Sequence, residues 1–134
     1  MLKNNIKKNR GSEVITTPVV IAIGLMLVAV LIVFCVNILM PYIWYEKLSS
    51  TCLKYVFVME EYGYLTSREK TNLINDLKNQ GFDVSELKIN STSTRQVYGS
   101  PISLNVRYNY KMNLPIIGKK NVVMNISRES VSKR

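Results

Sequence analysis

From Val19 to Met40 the chain carries no charged residue and a single strongly polar one, Asn37. The apolar positions fall on every side instead of along one stripe, and these 22 residues form a helix of roughly 33 Å, matched to a hydrocarbon layer of about 30 Å. A helix that is apolar all round has too little other protein here to bury it, so the pattern predicts a transmembrane helix over residues 14–41. Beyond it, Trp44, Leu48, Cys52, Tyr55, Met59 and Tyr62 recur at steps of four and three, one helical stripe ending near Gly63. Pro41 is the only breaker between span and stripe. The two are therefore expected to form one long helix extending outward, kinked near the bilayer surface, with Tyr42, Trp44 and Tyr45 as an interfacial aromatic belt. The stripe has two possible destinations, the protein's own sheet or another subunit.

A short second helix is punctuated by Thr66 or Ser67 at its start and Gly81 at its end, with Leu73, Ile74 and Leu77 as its apolar face. The period then changes to two. Val84, Leu87 and Ile89 predict a first strand, and Asn90 to Ser100 reads as a loop. Ile102, Leu104, Val106, Tyr108, Tyr110 and Met112 alternate with polar residues as a half-buried strand. Leu114 to Lys120 breaks the alternation with Pro115 and Gly118, and Asn121 to Ser127 resumes it, predicting an antiparallel hairpin. The fold class is thus an α+β membrane protein: a long N-terminal transmembrane helix, a short second helix and a small antiparallel sheet of about three strands. Its parts are a basic arm over residues 1–13, the span over 14–41 and an extracytoplasmic domain over 42–134.

Composition narrows the chemistry. Among 134 residues there is no histidine and there are two cysteines, which removes the usual general base and leaves too few ligands for a thiolate zinc site. No carboxylates pair for acid–base work: Glu69 sits where a helix N-terminus favours negative charge, and Glu60 and Glu61 point about 100° apart. The reading is non-enzymatic, with no cofactor and no metal. Cys35 and Cys52 lie about 25 Å apart on a continuous helix, too far for a disulfide.

Charge sets orientation. Lys3, Lys7, Lys8 and Arg10 give the first ten residues a charge of +4, so the short basic arm is expected to stay in the cytoplasm and the rest outside the bacterial cytoplasmic membrane. The apolar run exceeds that of a secretory signal and no small-residue cleavage site follows Met40, which favours a permanent single-pass anchor. Lys88, Arg95, Arg107, Lys111, Lys119 and Lys120 fall in or near the strands. Arg107 and Lys111 share a face with Asn105 and Asn109 while Tyr108 and Tyr110 point the other way, so no stacking platform for single strands is formed and no specific nucleic acid is expected. A solvated basic face meeting an anionic cell wall or lipid headgroups is expected instead.

Lys7-Lys8-Asn9-Arg10-Gly11, with Glu13 just after it, precedes the apolar helix and the small αβ domain, and the strand at Leu104 to Tyr110 leads through Leu114 to Gly118 to a last strand and a polar tail at Ser127 to Arg134. In these features the chain resembles the TadE-like minor pseudopilins of tight-adherence pili, and single-span TadE-related membrane proteins in particular. The resemblance implies cleavage after Gly11 by a prepilin-type peptidase, recognition through Lys7, Lys8, Arg10, Gly11 and Ser12, and packing with other pilin-like subunits in the lipid bilayer. Glu13 and the stripe of Trp44, Leu48, Cys52, Tyr55 and Met59 would serve assembly. The usual pilin acid is the fifth mature residue. Here Thr16 holds that place and Glu13 is second. Two readings of Arg10 to Glu13 stay open: a processed leader, or a turn and helix cap before an uncleaved anchor. The corresponding functions are a pseudopilin-like structural subunit of a pilus or secretion-type machine, and an uncleaved single-span accessory protein of a conjugation or transport complex with a partner-binding ectodomain.

Overall fold

The computed structural model describes the backbone of residues 3–114 and 118–134, and the side chains of residues 14–114 and 118–134. Two compact units divide the chain, Met1–Leu39 and Met40–Arg134. Helix α1, Lys3–Tyr62, supplies the first unit and opens the second, and its helical assignment passes through Pro41 without interruption. In the first unit every described side chain from Val14 to Val36 is exposed. By length and composition this is a helix able to cross a membrane.

The second unit adds α2 (Ser67–Asn79), a 3₁₀ turn (Val84–Glu86) and strands β1 (Leu87–Ser91), β2 (Pro101–Leu114) and β3 (Gly118–Val131). The sheet is antiparallel with spatial order β1-β2-β3. Alternation dictates its two faces. Ile102, Leu104, Val106 and Tyr108 of β2 point inward with Met124 and Ile126 of β3, and meet Leu48, Cys52, Tyr55, Val56 and Met59 of α1 and Leu73 and Leu77 of α2 in one core. Each such side chain contributes about 1.5–3 kcal/mol on burial, which is how a domain of this size becomes stable. At one end Trp44 packs edge-on against Phe82 with ring centroids 4.8 Å apart, and Phe82 against Tyr108 at 4.9 Å.

Helix α2 is capped as its sequence predicts: the Thr66 hydroxyl accepts from the Glu69 amide at 3.2 Å. Val84 departs from the expected strand. The Asp83 carboxylate accepts from the Ser85 amide at 3.0 Å and from its hydroxyl at 2.7 Å, curling Val84–Glu86 into the 3₁₀ turn so that pairing begins only at Leu87. Asn90 and Ser91, expected in the following loop, continue β1 by pairing with Asn105 and Leu104. Ser127 to Val131, expected as a polar tail, continues β3 opposite Asn105 to Pro101. The hairpin closes at the Leu114–Gly118 pair; the predicted turn residues Pro115, Ile116 and Ile117 lie outside the described residues.

The end of α1 is locked by backbone geometry. Gly63 takes φ +78°, its amide bonds the Met59 carbonyl at 2.7 Å and its carbonyl accepts from Gln96 at 3.1 Å. A Cβ there would stand 2.7 Å from the Gln96 carbonyl oxygen. Glycine is required both by the dihedral and by the approach.

Candidate functional site

The stripe on α1 is the first candidate. Leu48, Cys52, Tyr55 and Met59 are buried beneath the protein's own sheet and α2, and Trp44 packs on the same core. The assembly role expected for them therefore gives way to a core role: a side chain sealed within its own domain offers no surface to a neighbouring subunit. Tyr62, the last member of the stripe, is exposed. Burial also pushes the Cys52 thiol up to about 12, against a smaller opposing pull from the Arg128 guanidinium, so it remains protonated and unreactive. Cys35 and Cys52 are both free thiols. The side chains of Lys7, Lys8, Arg10, Gly11, Ser12 and Glu13 lie outside the described residues.

Three polar clusters lie in the second unit. Between the helices, the Tyr55 hydroxyl donates to Asp76 Oδ2 at 2.7 Å and Lys54 Nζ donates to the same oxygen at 3.0 Å. These bonds hold the Asp76 carboxyl below its ordinary value, the Tyr55 bond first. Next to them the Gln80 amide donates to Thr51 Oγ1 at 2.9 Å.

At the end of α1, Glu60 is buried and its carboxylate accepts from the Ser130 hydroxyl and from Lys133. The Lys133 amide returns a bond to the Glu60 carbonyl at 2.8 Å. Both side-chain bonds hold Glu60 ionised, below its ordinary value, with the Lys133 bond the stronger cause. A carboxylate so satisfied fastens the strand end to the helix and is a poor general acid. Phe57, Glu61 and Arg134 complete an open groove beside it. Ser130 and Arg128, which donates to Ser49 Oγ at 2.8 Å, stand on the inward side of β3. Sequence reasoning missed them because polar residues in an alternating strand read as outward-facing.

The third cluster is the outer face of the sheet. Lys88 pairs directly with Arg107, and Arg107 with Asn125, in one row across the three strands. Lys111 is held by Glu86, whose other carboxylate oxygen accepts from Asn109 Nδ2 at 3.3 Å. That contact lowers Glu86 and raises Lys111 from their ordinary values. Lys119 shares the face, whereas Lys120 pairs with Met112 on the opposite side and Arg95 belongs to the loop before β2. Tyr108 and Tyr110 pack inward, as their spacing predicts.

Among the described residues no group of three His, Cys, Asp or Glu side chains could hold a metal ion. No family model, curated protein or solved structure matches the chain.

Proposed function

We propose that this chain is a membrane-anchored, non-enzymatic, pseudopilin-like structural subunit of a bacterial pilus or secretion-type envelope machine, N-terminus cytoplasmic and sheet domain outside, assembled by packing of its apolar helices. The observation that carries the reading lies within α1. Its first part presents apolar side chains on all sides with nothing to cover them, and its later part is the core helix of an antiparallel domain. Such exposure far exceeds the roughly 300–600 Å² patches that soluble monomers tolerate, so lipid or other helices are the natural surroundings. With the stripe from Leu48 to Met59 committed to the core, subunit packing falls to the apolar part of α1 and to the outer surfaces of the domain. The basic arm ahead of the span supports the orientation.

A second reading, an uncleaved accessory protein whose domain binds a partner, is favoured by Glu13 standing second after Gly11, where the pilin pattern has its acid fifth. The intact mass and N-terminal sequence of protein purified from native membranes separate the two. A chain beginning at Ser12 supports the pilin reading, and one retaining the residues before it supports the anchor.

A further inference from the structure

The outer sheet face is unusual in what it gathers. Asn90, Asn105, Asn109, Asn113, Asn121 and Asn125 all occupy outward positions, spread over the three strands. Among the described residues, Lys88, Arg107 and Lys119 on this face make no ion pair, and Glu129 is the only acid on the outward positions of β2 and β3. Lys88 and Arg107 are direct cross-strand partners, a placement in which like charges repel. The face keeps this arrangement although Asn125, the next residue in the row, could have been a neutralising acid.

We infer that this face, centred on the Lys88–Arg107 pair, binds a phosphodiester-linked polyol polymer of the cell envelope. A phosphate oxygen set between the two side chains accepts from both, with the Arg107 guanidinium offering two parallel donors and Lys88 a point charge, and the repulsion in the free protein is relieved. Asn125 completes the row with an amide, and the remaining asparagines supply paired donors and acceptors suited to polyol hydroxyls. A polymer fits better than a single ion because the free cations are spread out. Lys119 lies six residues along β3 from Asn125, about 20 Å at strand rise. Nucleic acid fits less well, since the aromatic rings of Tyr108 and Tyr110 are turned into the core and leave no stacking platform. A lipid surface fits less well too, because Val123 and Val131 are the only large apolar side chains on the outward positions of β2 and β3. The source of the polymer rests on the proposed orientation, which places the domain outside the cytoplasm.

The test uses the full chain in a neutral detergent, titrated with poly(glycerol phosphate) at low and at physiological salt. Parallel arms use inorganic phosphate, anionic phosphatidylglycerol vesicles and a single-stranded DNA oligomer. Binding of the polymer should weaken at least tenfold in the Lys88→Gln/Arg107→Gln double variant and less than twofold in Arg68→Gln/Lys70→Gln, which removes the same charge from α2. Both variants should melt as the parent does. No polymer binding, equal loss in the two variants, or tighter binding of phosphate, vesicles or DNA would overturn the inference. Polymer binding by a chain whose N-terminus proves uncleaved would uphold it while removing the pilin reading; a processed chain with no binding would do the reverse.

Discussion

The Tyr55 hydroxyl lies 2.7 Å from Asp76 Oδ2, and through that bond the middle of α1 holds α2. Tyr55 is otherwise buried among apolar neighbours, so its polar end has one strong partner, and that partner is charged. Tyr55→Phe keeps the ring and removes the bond. Unfolding followed by the fluorescence of the single tryptophan, Trp44, should show a loss of about 1 kcal/mol; unchanged stability would mean that the bond contributes nothing net.

Acid should loosen the domain through the same bonds. Asp76 and Glu60 are lowered from ordinary values of 3.8 and 4.5, so their contribution is complete above those values and disappears as pH falls through the lower folded ones. A melting series from pH 6 down to pH 2 should fall across that window. In Glu60→Gln the Lys133 ion pair is gone at every pH, so the variant starts less stable and its acid limb is shallower. A limb of the parent's steepness would contradict the assignment.

Gly63→Ala should be among the most damaging single-atom-scale changes. The dihedral of +78° and the 2.7 Å approach to the Gln96 carbonyl act together, and a loss of at least about 2 kcal/mol is expected. Gly24→Ala, where an added Cβ meets nothing within 4 Å, is the matched control and should leave the Trp44 transition in place.

Thiol chemistry reports the core directly. In a Cys35→Ala background, Cys52 should resist a maleimide at pH 7.5 in the folded protein and react fully once denaturant is added, because burial keeps it protonated as well as enclosed. Rapid labelling of the native protein would show that the α1 stripe is not sealed by the sheet.

Core truncation gives a scale for the rest. Leu73→Ala on α2 removes a side chain that is fully buried between α1 and the sheet, and should cost about 2–5 kcal/mol by the same fluorescence readout.

Much of this architecture was legible because its periods are clean. The alternation from Ile102 to Met112 and the cap at Thr66 translate directly into β2 and α2. The stripe from Trp44 to Met59 was legible as a face but not as a destination, since apolar periodicity says that a surface is covered without saying by what. Hydrogen bonds between distant residues decided the remainder. Asp83 curls Val84 out of the strand, and Glu60 and Ser49 turn Ser130 and Arg128 inward. The row of Lys88, Arg107 and Asn125 depends on register across two strand pairs, which composition does not contain.

Strand β1 covers β2 only between Leu104 and Tyr108. From Asn109 to Leu114 and from Gly118 to Val123, β2 and β3 have each other and no third strand. Such a two-stranded arm can lengthen or shorten in evolution without disturbing the core, provided that residues are gained or lost in matched pairs on each strand. An odd step would send every outward asparagine to the inner side. Comparing kindred sequences by the parity of this arm, more than by its length, would separate descendants that keep the polar face from those that have abandoned it.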